Sequence, residues 1–114
     1  MGKFNEHERP FMDGLLLELR DRLAGRGMTT AHMSDEEGRP CLEVLDRDLR
    51  ARRVYVYVAF LWFFWGDQQD ERTSCYQLDE AAKVIEAAAK AGWHAEGQGD
   101  LGPVLQEILD TYQS

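Results

Sequence analysis

The sequence predicts a single α+β domain in which an antiparallel sheet of three or four strands packs against one N-terminal helix and two C-terminal helices. Three patterns lead to this fold class. An amphipathic helical pattern comes first, a run of twelve apolar residues rich in strand formers follows at residues 54–65, and two further helical patterns come last. The length of 114 residues suits one domain.

The charge of the chain limits its partners. With 21 acidic and 13 basic side chains the formal net charge is −8, which repels phosphate backbones and anionic lipid. Nucleic acids and membrane surfaces are therefore disfavoured. Cys41 and Cys75 are too few for a disulfide scaffold, and the first ten residues lack a signal-peptide pattern. We expect a reduced, cytoplasmic protein.

The first helix is predicted over residues 10–25, after a flexible stretch at residues 1–9. Its apolar residues recur at helical spacing and form one face, which consists of Met12, Leu15, Leu16, Leu19 and Leu23. Pro10 suits the first helical turn, where its missing N–H leaves no bond unmade. Gly25 and Gly27 indicate where the helix ends.

A hairpin of two strands is predicted next. The segment at residues 28–33 is short and contains two threonines. In the segment at residues 41–46, alternate side chains form a more apolar and a more polar face. Between them, residues 34–40 combine serine, aspartate, glycine and proline, which is a turn signal. The two strands are therefore expected to pair in antiparallel fashion.

The run VYVYVAFLWFFW, residues 54–65, is predicted to form the central strand of the sheet or a strand pair. A membrane-spanning helix needs about 20 apolar residues, and this run has twelve. Its valines and aromatic residues favour strands. A single strand of that length would measure about 40 Å, so a bend near Ala59 that divides the run into two strands is the alternative.

The rest of the chain is predicted to be mainly helical. Residues 75–78 are the candidate for a short fourth strand, and residues 79–92 are predicted to form a helix with Asp79 as its N-cap and Gly92 just beyond its end. Residues 94–102 contain three glycines and are predicted to be a flexible connection. The last helix is predicted over residues 103–112, where an apolar stripe consists of Val104, Leu105, Ile108, Leu109 and Tyr112.

No catalytic residue, metal site or cofactor is predicted. His7, His32 and His94 lack a second histidine at the helical or strand offset that a metal site favours. Neither cysteine has a base beside it in the sequence for nucleophilic catalysis. The Gly-x-Gly-x-x-Gly pattern at residues 97–102 follows a helix instead of a buried strand, so we interpret it as a connection and not as a nucleotide site.

An RNA-binding sheet is also disfavoured. Four arginines precede the aromatic run, namely Arg47, Arg50, Arg52 and Arg53. The run itself lacks the glycines that RNA-binding sheets of this kind place among their aromatic residues. Together with the negative net charge, this pattern disfavours nucleic acid as a partner.

The crowding of aromatic residues at residues 54–65 is the main pointer to function. Helices on one face of a sheet hide half of these side chains, and soluble monomers rarely expose a large apolar patch. The other face needs a cover, for which residues 103–112, a second copy of the chain and a partner protein are the alternatives.

We therefore predict a non-enzymatic protein-binding or regulatory module that forms a homodimer. Its binding surface is predicted to include Tyr55, Tyr57, Trp62 and Trp65. The alternative function is that of a small-molecule-binding protein or enzyme, in which the same residues line an aromatic pocket between the sheet and the helices.

Four short motifs follow one another in the chain: P-x-L-x-V at residues 40–44, V-Y-V within 54–58, W-x-x-W-G at 62–66 and an Ala-rich helix at 80–91. This order resembles a group of small, mostly uncharacterised actinobacterial proteins, and the resemblance covers residues 10–91. It implies a bacterial source and an α+β fold, and it implies no activity. Ala59, Phe60 and Leu61 stand where the group has a polar hairpin turn.

Overall fold

The computed structural model describes residues 6–66 and 71–93 of the chain. A 3₁₀ turn at Glu6–Glu8 leads into the first helix. The helices and strands, in chain order, are α1 (Arg9–Ala24), β1 (Thr30–Ser34), β2 (Pro40–Leu45), β3 (Ala51–Tyr57), β4 (Trp62–Phe64), β5 (Arg72–Ser74) and α2 (Leu78–Ala91).

Within residues 6–66 and 71–93 the sheet has five strands, and each strand pairs in antiparallel fashion with the next one along the chain. Leu42 of β2 lies opposite Val54 of β3, which places two core side chains side by side. Further along, Tyr57 of β3 lies opposite Trp62 of β4. The strand order is therefore the sequence order, β1-β2-β3-β4-β5.

The prediction of a three- or four-stranded sheet followed by two helices is wrong. The run at residues 54–65 supplies most of β3 and all of β4, and a fifth strand lies at Arg72–Ser74 instead of residues 75–78. Within the described ranges one helix, α2, follows the sheet. The helix predicted at residues 103–112 and the connection predicted at 94–102 lie outside the described residues, as do residues 1–5.

A tight turn at residues 58–61 divides the aromatic run. The backbone N–H of Leu61 donates a hydrogen bond of 3.2 Å to the carbonyl of Val58, and Leu61 adopts a left-handed conformation with φ 54°. Four-residue hairpin loops are commonly built around such a turn. The turn matches the alternative of a bend near Ala59 that divides the run into two strands, although Val-Ala-Phe-Leu contains none of the glycine, proline, asparagine or aspartate that usually mark turns.

The main core lies between one face of the sheet and both helices. The buried side chains of α1 and α2 are Met12, Leu16, Leu19, Leu23, Ala81, Ala82, Ile85 and Ala89. Leu42, Val54 and Phe63 meet them from the sheet, since alternate strand residues point to the same face. Burying each large aliphatic side chain stabilises the fold by about 2 kcal/mol. Of the described helices, neither has the length and apolar content needed to cross a bilayer.

The two hairpin loops on either side of β2 share the same hydrogen-bonding pattern. Asp35 begins the first loop and Asp46 the second, and each Oδ1 accepts hydrogen bonds of 2.9 Å from the backbone N–H groups two and four residues later. The residue three positions after each aspartate is left-handed, with φ 84° for Gly38 and 64° for Leu49. Leu49 carries a Cβ, so the second loop holds about 1 kcal/mol of strain that the first does not.

The loop between β2 and β3 also fixes the end of α2. Oδ2 of Asp46 accepts hydrogen bonds from the backbone N–H of Trp93 at 3.0 Å and from Nε of Arg50 at 3.3 Å. Nη2 of Arg50 donates to the Trp93 carbonyl, and the indole Nε1–H of Trp93 donates to the Arg50 carbonyl, each at 3.0 Å. The chain after α2 is thereby joined to the β2–β3 loop at several points.

The hydrogen bonds of Asp46 determine its charge state. Burial of the carboxyl opposes ionisation, but the backbone N–H groups of Trp93, Arg50 and Asp48 outweigh that effect and hold the pKa of Asp46 below its ordinary value. Its side chain is fully buried. The loop therefore depends on a buried carboxylate whose charge is stabilised by donors around it.

A buried ion pair closes the end of the main core where β3 begins. Arg52 donates to the carboxylate of Glu71 at 2.5 Å and to the Trp65 carbonyl at 3.4 Å, and both charged side chains are at most 6% exposed. The backbone of Gly66 lies so close to this carboxylate that a Cβ at residue 66 would collide with it. The glycine of the W-x-x-W-G motif thus leaves the space that the ion pair fills.

Gly66→Ala is expected to lower the free energy of unfolding by about 3 kcal/mol, because the added methyl group forces Glu71 away from a buried arginine. Gly14→Ala is the matched control. Gly14 lies within α1 with open space around it, so this variant should gain up to about 1 kcal/mol. Urea unfolding followed by circular dichroism measures both. Equal effects of the two substitutions would contradict the role given to Gly66.

Protonation of Asp46 is expected to destabilise the fold in acid. The pKa of Asp46 is lower in the folded than in the unfolded chain, so its contribution is complete above about pH 4 and is lost as pH falls through the folded pKa. Asp46→Asn should lower stability at pH 7 by about 2 kcal/mol and flatten the acid dependence. Asp48→Asn, in the same loop and exposed, should do neither. Denaturant titrations from pH 7 to pH 2 measure the slopes, and identical slopes for the two variants would refute this.

Candidate functional site

The second face of the sheet carries a cluster of aromatic rings that we call the aromatic face. It consists of Tyr55, Tyr57, Phe60, Trp62 and Phe64. The rings of Tyr57 and Phe60 stack at 5.2 Å between centroids, and those of Phe60 and Trp62 at 5.1 Å. These separations lie in the range of favourable aromatic contacts, so the rings form one continuous surface.

Strand register explains why these side chains meet. Tyr57 lies opposite Trp62, and Tyr55 lies opposite Phe64, in the antiparallel pair of β3 and β4. Directly opposed residues in such a pair project to the same face. Phe60 joins them from the turn between the two strands.

The centre of the aromatic face is buried, although neither helix contributes to it. Tyr55, Tyr57 and Phe64 are at most 6% exposed, and they form a buried cluster with Cys41. Every buried side chain of α1 and α2 belongs instead to the main core on the other face. At the edge, Phe60 is 37% exposed and Trp62 is partly exposed.

Charged side chains border the aromatic face. The guanidinium carbon of Arg72 lies 4.6 Å from the Trp62 ring centroid, which is a cation–π contact. Arg53 forms two hydrogen bonds of 3.0 Å with the carboxylate of Glu36, and these bonds hold the pKa of Glu36 below its ordinary value. The border is thus polar, and the centre is apolar.

A hydrogen bond connects the aromatic face to the first hairpin loop. The hydroxyl of Tyr55 donates to Oδ2 of Asp35 at 2.9 Å. Burial, together with this hydrogen bond, raises the pKa of Tyr55 well above its ordinary value. The phenol therefore remains protonated near neutral pH and acts as a hydrogen-bond donor.

The structure brings together three of the four residues predicted for the binding surface. Tyr55, Tyr57 and Trp62 lie on the aromatic face, whereas Trp65 is 1% exposed and lies in the main core on the other side of the sheet. Sequence reasoning missed Phe60 and Phe64. The alternative of a bend near Ala59 did not fix the register of the two strands, and it is the register that places Phe64 opposite Tyr55.

The two cysteines lie on opposite faces of the sheet. Cys41 belongs to the buried cluster of the aromatic face, and Cys75 belongs to the main core. Burial raises the pKa of Cys41 to about 11 and that of Cys75 to about 12. Both thiols are free and almost entirely protonated near pH 7, which makes them poor nucleophiles.

The histidines, for which no site was predicted, belong to no group of metal-binding side chains in the described parts of the chain. Nε2 of His32 lies 2.9 Å from Oδ1 of Asp13, and His7 lies in the turn before α1. His94 and the glycine pattern at residues 97–102 lie outside the described residues. Over residues 6–66 and 71–93, no three His, Cys, Asp or Glu side chains are placed to hold a metal ion.

The arginines that precede the aromatic run each have an acidic neighbour. Arg52 pairs with Glu71, and Arg53 pairs with Glu36. In the β2–β3 loop, Arg50 pairs with Asp46, while Arg47 lies 3.7 Å from Asp48. These side chains serve internal ion pairs, in contrast to the open basic stripe that binds a nucleic-acid backbone.

Comparisons with protein-family models, with curated proteins and with solved structures find no match to this chain.

Tyr55→Phe is expected to lower the free energy of unfolding by about 1 kcal/mol, because it removes the hydrogen bond to Asp35 without changing the ring. Tyr76→Phe is the control, since Tyr76 is 77% exposed. Chemical denaturation at pH 7 measures both variants. A loss for Tyr55→Phe no larger than that for Tyr76→Phe would contradict the contribution of this hydrogen bond.

Proposed function

We propose that this chain is a non-enzymatic protein-binding or regulatory module that binds through its aromatic face and forms a homodimer. The observation that carries the proposal is the position of five aromatic rings on the sheet face to which neither described helix contributes. At the edge of this face Phe60 is 37% exposed and Trp62 is partly exposed, and this apolar surface supports an interaction site there.

The chemistry of the aromatic face supports a protein partner. Tyrosine, tryptophan and arginine are the residues that most often dominate the energy of protein–protein interfaces. Tyr57 and Trp62 lie together here, with Arg72 over the indole ring. An apolar centre with a charged border is also the usual anatomy of such an interface.

The reactive groups near the aromatic face support a binding role over a catalytic one. The phenol of Tyr55 has a raised pKa and donates to Asp35, and burial raises the pKa of Cys41 to about 11. A catalytic acid, base or nucleophile usually has a pKa near the working pH. Two buried free thiols also suit a reducing, cytoplasmic location, which is part of the proposal.

A homodimer suits this surface because two copies can place the same apolar patch against each other about a two-fold axis. The edge of the aromatic face offers Phe60 and Trp62 for such a contact, as both side chains retain exposed surface. The alternative of a small-molecule pocket lined by all four predicted residues lacks this support, since Trp65 lies on the other face from Tyr55, Tyr57 and Trp62.

Phe60→Ala is expected to weaken dimerisation by about tenfold, because the ring lies in the proposed interface. Phe11→Ala is the matched control, since Phe11 is 48% exposed on α1, in the helical layer, and its loss should leave the dimer unchanged. Sedimentation-velocity measurements over a concentration series determine both dissociation constants. A strict monomer at about 100 µM, or equal weakening by both substitutions, would refute the homodimer.

A further inference from the structure

We propose that the outer edge of β1 pairs with β1 of a second copy of the chain, in antiparallel fashion about a two-fold axis, and joins the two sheets into one continuous sheet. β1 (Thr30–Ser34) stands first in the strand order β1-β2-β3-β4-β5. Within residues 6–66 and 71–93 the strand that pairs with it is β2, on one side. The contact goes beyond the proposed function, because it uses a surface other than the aromatic face.

The hydrogen bonds at the two ends of β1 establish which of its backbone groups face β2. The N–H of Leu45 donates to the Thr29 carbonyl at 3.1 Å, and the N–H of Asp35 donates to the Arg39 carbonyl at 2.9 Å. Bonded pairs in an antiparallel ladder recur at every second residue. The odd-numbered residues of this segment therefore bond to β2, and the even-numbered residues direct their N–H and C=O groups to the outer edge.

The outward groups match those of a second copy. They belong to Thr30, His32 and Ser34, and a row of such groups at an edge is a template for another strand. Because the three residues are spaced evenly about His32, a two-fold axis at His32 places Thr30 opposite Ser34 of the second copy and the reverse. In that register every outward residue exchanges N–H···O=C bonds with a counterpart, and any shift of register loses some of them.

β1 lacks the features by which edge strands usually avoid pairing. Such strands are kept very short, carry charged residues or proline, or contain a bulge. The sequence Thr-Ala-His-Met-Ser contains no proline, lysine, arginine or carboxylate, and its register with β2 is continuous. β5, the strand at the other edge in the described order, has three residues and begins with Arg72. Of these two edges, β1 is therefore the one suited to pairing.

Charge favours a second copy in the antiparallel orientation. The net charge of −8 opposes the approach of two copies, so an uncharged strand is the place where they meet at the lowest cost. The acidic residues 35–37 follow β1 directly. Antiparallel pairing separates the two acidic segments by the length of the strand, about 17 Å, whereas parallel pairing would place them side by side.

The side chains of β1 also agree with this register. Ala31 comes to lie opposite Met33 of the second copy, which is an apolar cross-strand pair. His32 lies opposite its own counterpart, and each His32 already has Oδ1 of Asp13 at 2.9 Å from its Nε2. No cross-strand pair in the joined ladder therefore brings two like-charged carboxylates or two lysines together.

The test measures amide hydrogen exchange by NMR over a series of protein concentrations from about 20 µM to about 1 mM. The outward amides of Thr30, His32 and Ser34 report on the contact. The amides of Arg72 and Ser74 are the internal control, because the hydrogen bonds on either side of β5 place them on its outer edge in the same way.

Exchange of the outward β1 amides is expected to slow by about threefold or more across the series, while the β5 amides keep their rates. Exchange at β1 that is independent of concentration, whether fast or slow, overturns the proposal. Equal slowing at both edges also overturns it, since that result indicates association without preference for β1.

Ser34→Pro removes one outward N–H from each copy at a position where an edge strand tolerates proline. It is expected to weaken the contact by about tenfold, so Thr30 and His32 lose most of their concentration dependence. Ser34→Ala keeps the N–H and should behave like the original chain. Equal behaviour of the two variants contradicts the strand pairing.

A second pair of variants tests the same contact with the backbone N–H groups intact. Ala31→Lys places a charge on the exposed side of β1 and should likewise weaken the contact by about tenfold. Ala51→Lys is the matched control, since Ala51 is exposed at the start of β3, away from the edge. Equal effects of the two lysines would refute the proposal.

The outcome is separable from that of the aromatic-face dimer. Phe60 lies in the turn between β3 and β4, so Phe60→Ala should leave the exchange of the β1 amides unchanged. Loss of the β1 contact in Phe60→Ala would overturn the independent edge contact, whereas its persistence supports it whether or not the aromatic face forms a dimer.

Discussion

The turn at residues 58–61 is the constraint on which the rest of the structure depends. It places Tyr57 opposite Trp62, so Phe64 comes to lie on the face of Tyr55, and Phe63 on the face of Val56. A continuous strand would have placed Phe63 with the tyrosines and Phe64 with the valines. One short turn thus decides which aromatic side chains stabilise the main core and which ones form the aromatic face.

Much of the fold was predictable because its signals are local. Helical periodicity placed the first helix at residues 10–25, and the structure has it at Arg9–Ala24. The helix predicted at 79–92 lies at Leu78–Ala91. Turn residues such as Gly38 indicated the first hairpin. The length of the aromatic run led to the alternative of a bend near Ala59, and the structure has a turn at residues 58–61. β5 was missed because three polar residues, Arg-Thr-Ser, carry no strand signal.

At the candidate site, too, local sequence signals indicated the residues but did not fix how the strands pair. Aromatic crowding correctly directed attention to Tyr55, Tyr57 and Trp62, but the face on which each ring lies depends on the register of β3 and β4. A change of one residue in register moves every side chain to the opposite face. Trp65 was therefore assigned to the surface although it lies in the core, and composition alone could not have corrected this.

The strand order has a consequence for how the protein folds. Each strand pairs with its neighbour in sequence. Every pairing therefore closes only a short loop, which costs little conformational entropy. The contact between α1 and α2 is different, because it joins segments at the two sides of the whole meander. Proteins rich in local contacts fold quickly. The meeting of the two helices is accordingly the contact that closes the long loop, and the hydrogen bond between Asp46 and Trp93 holds the end of the second helix against the β2–β3 loop.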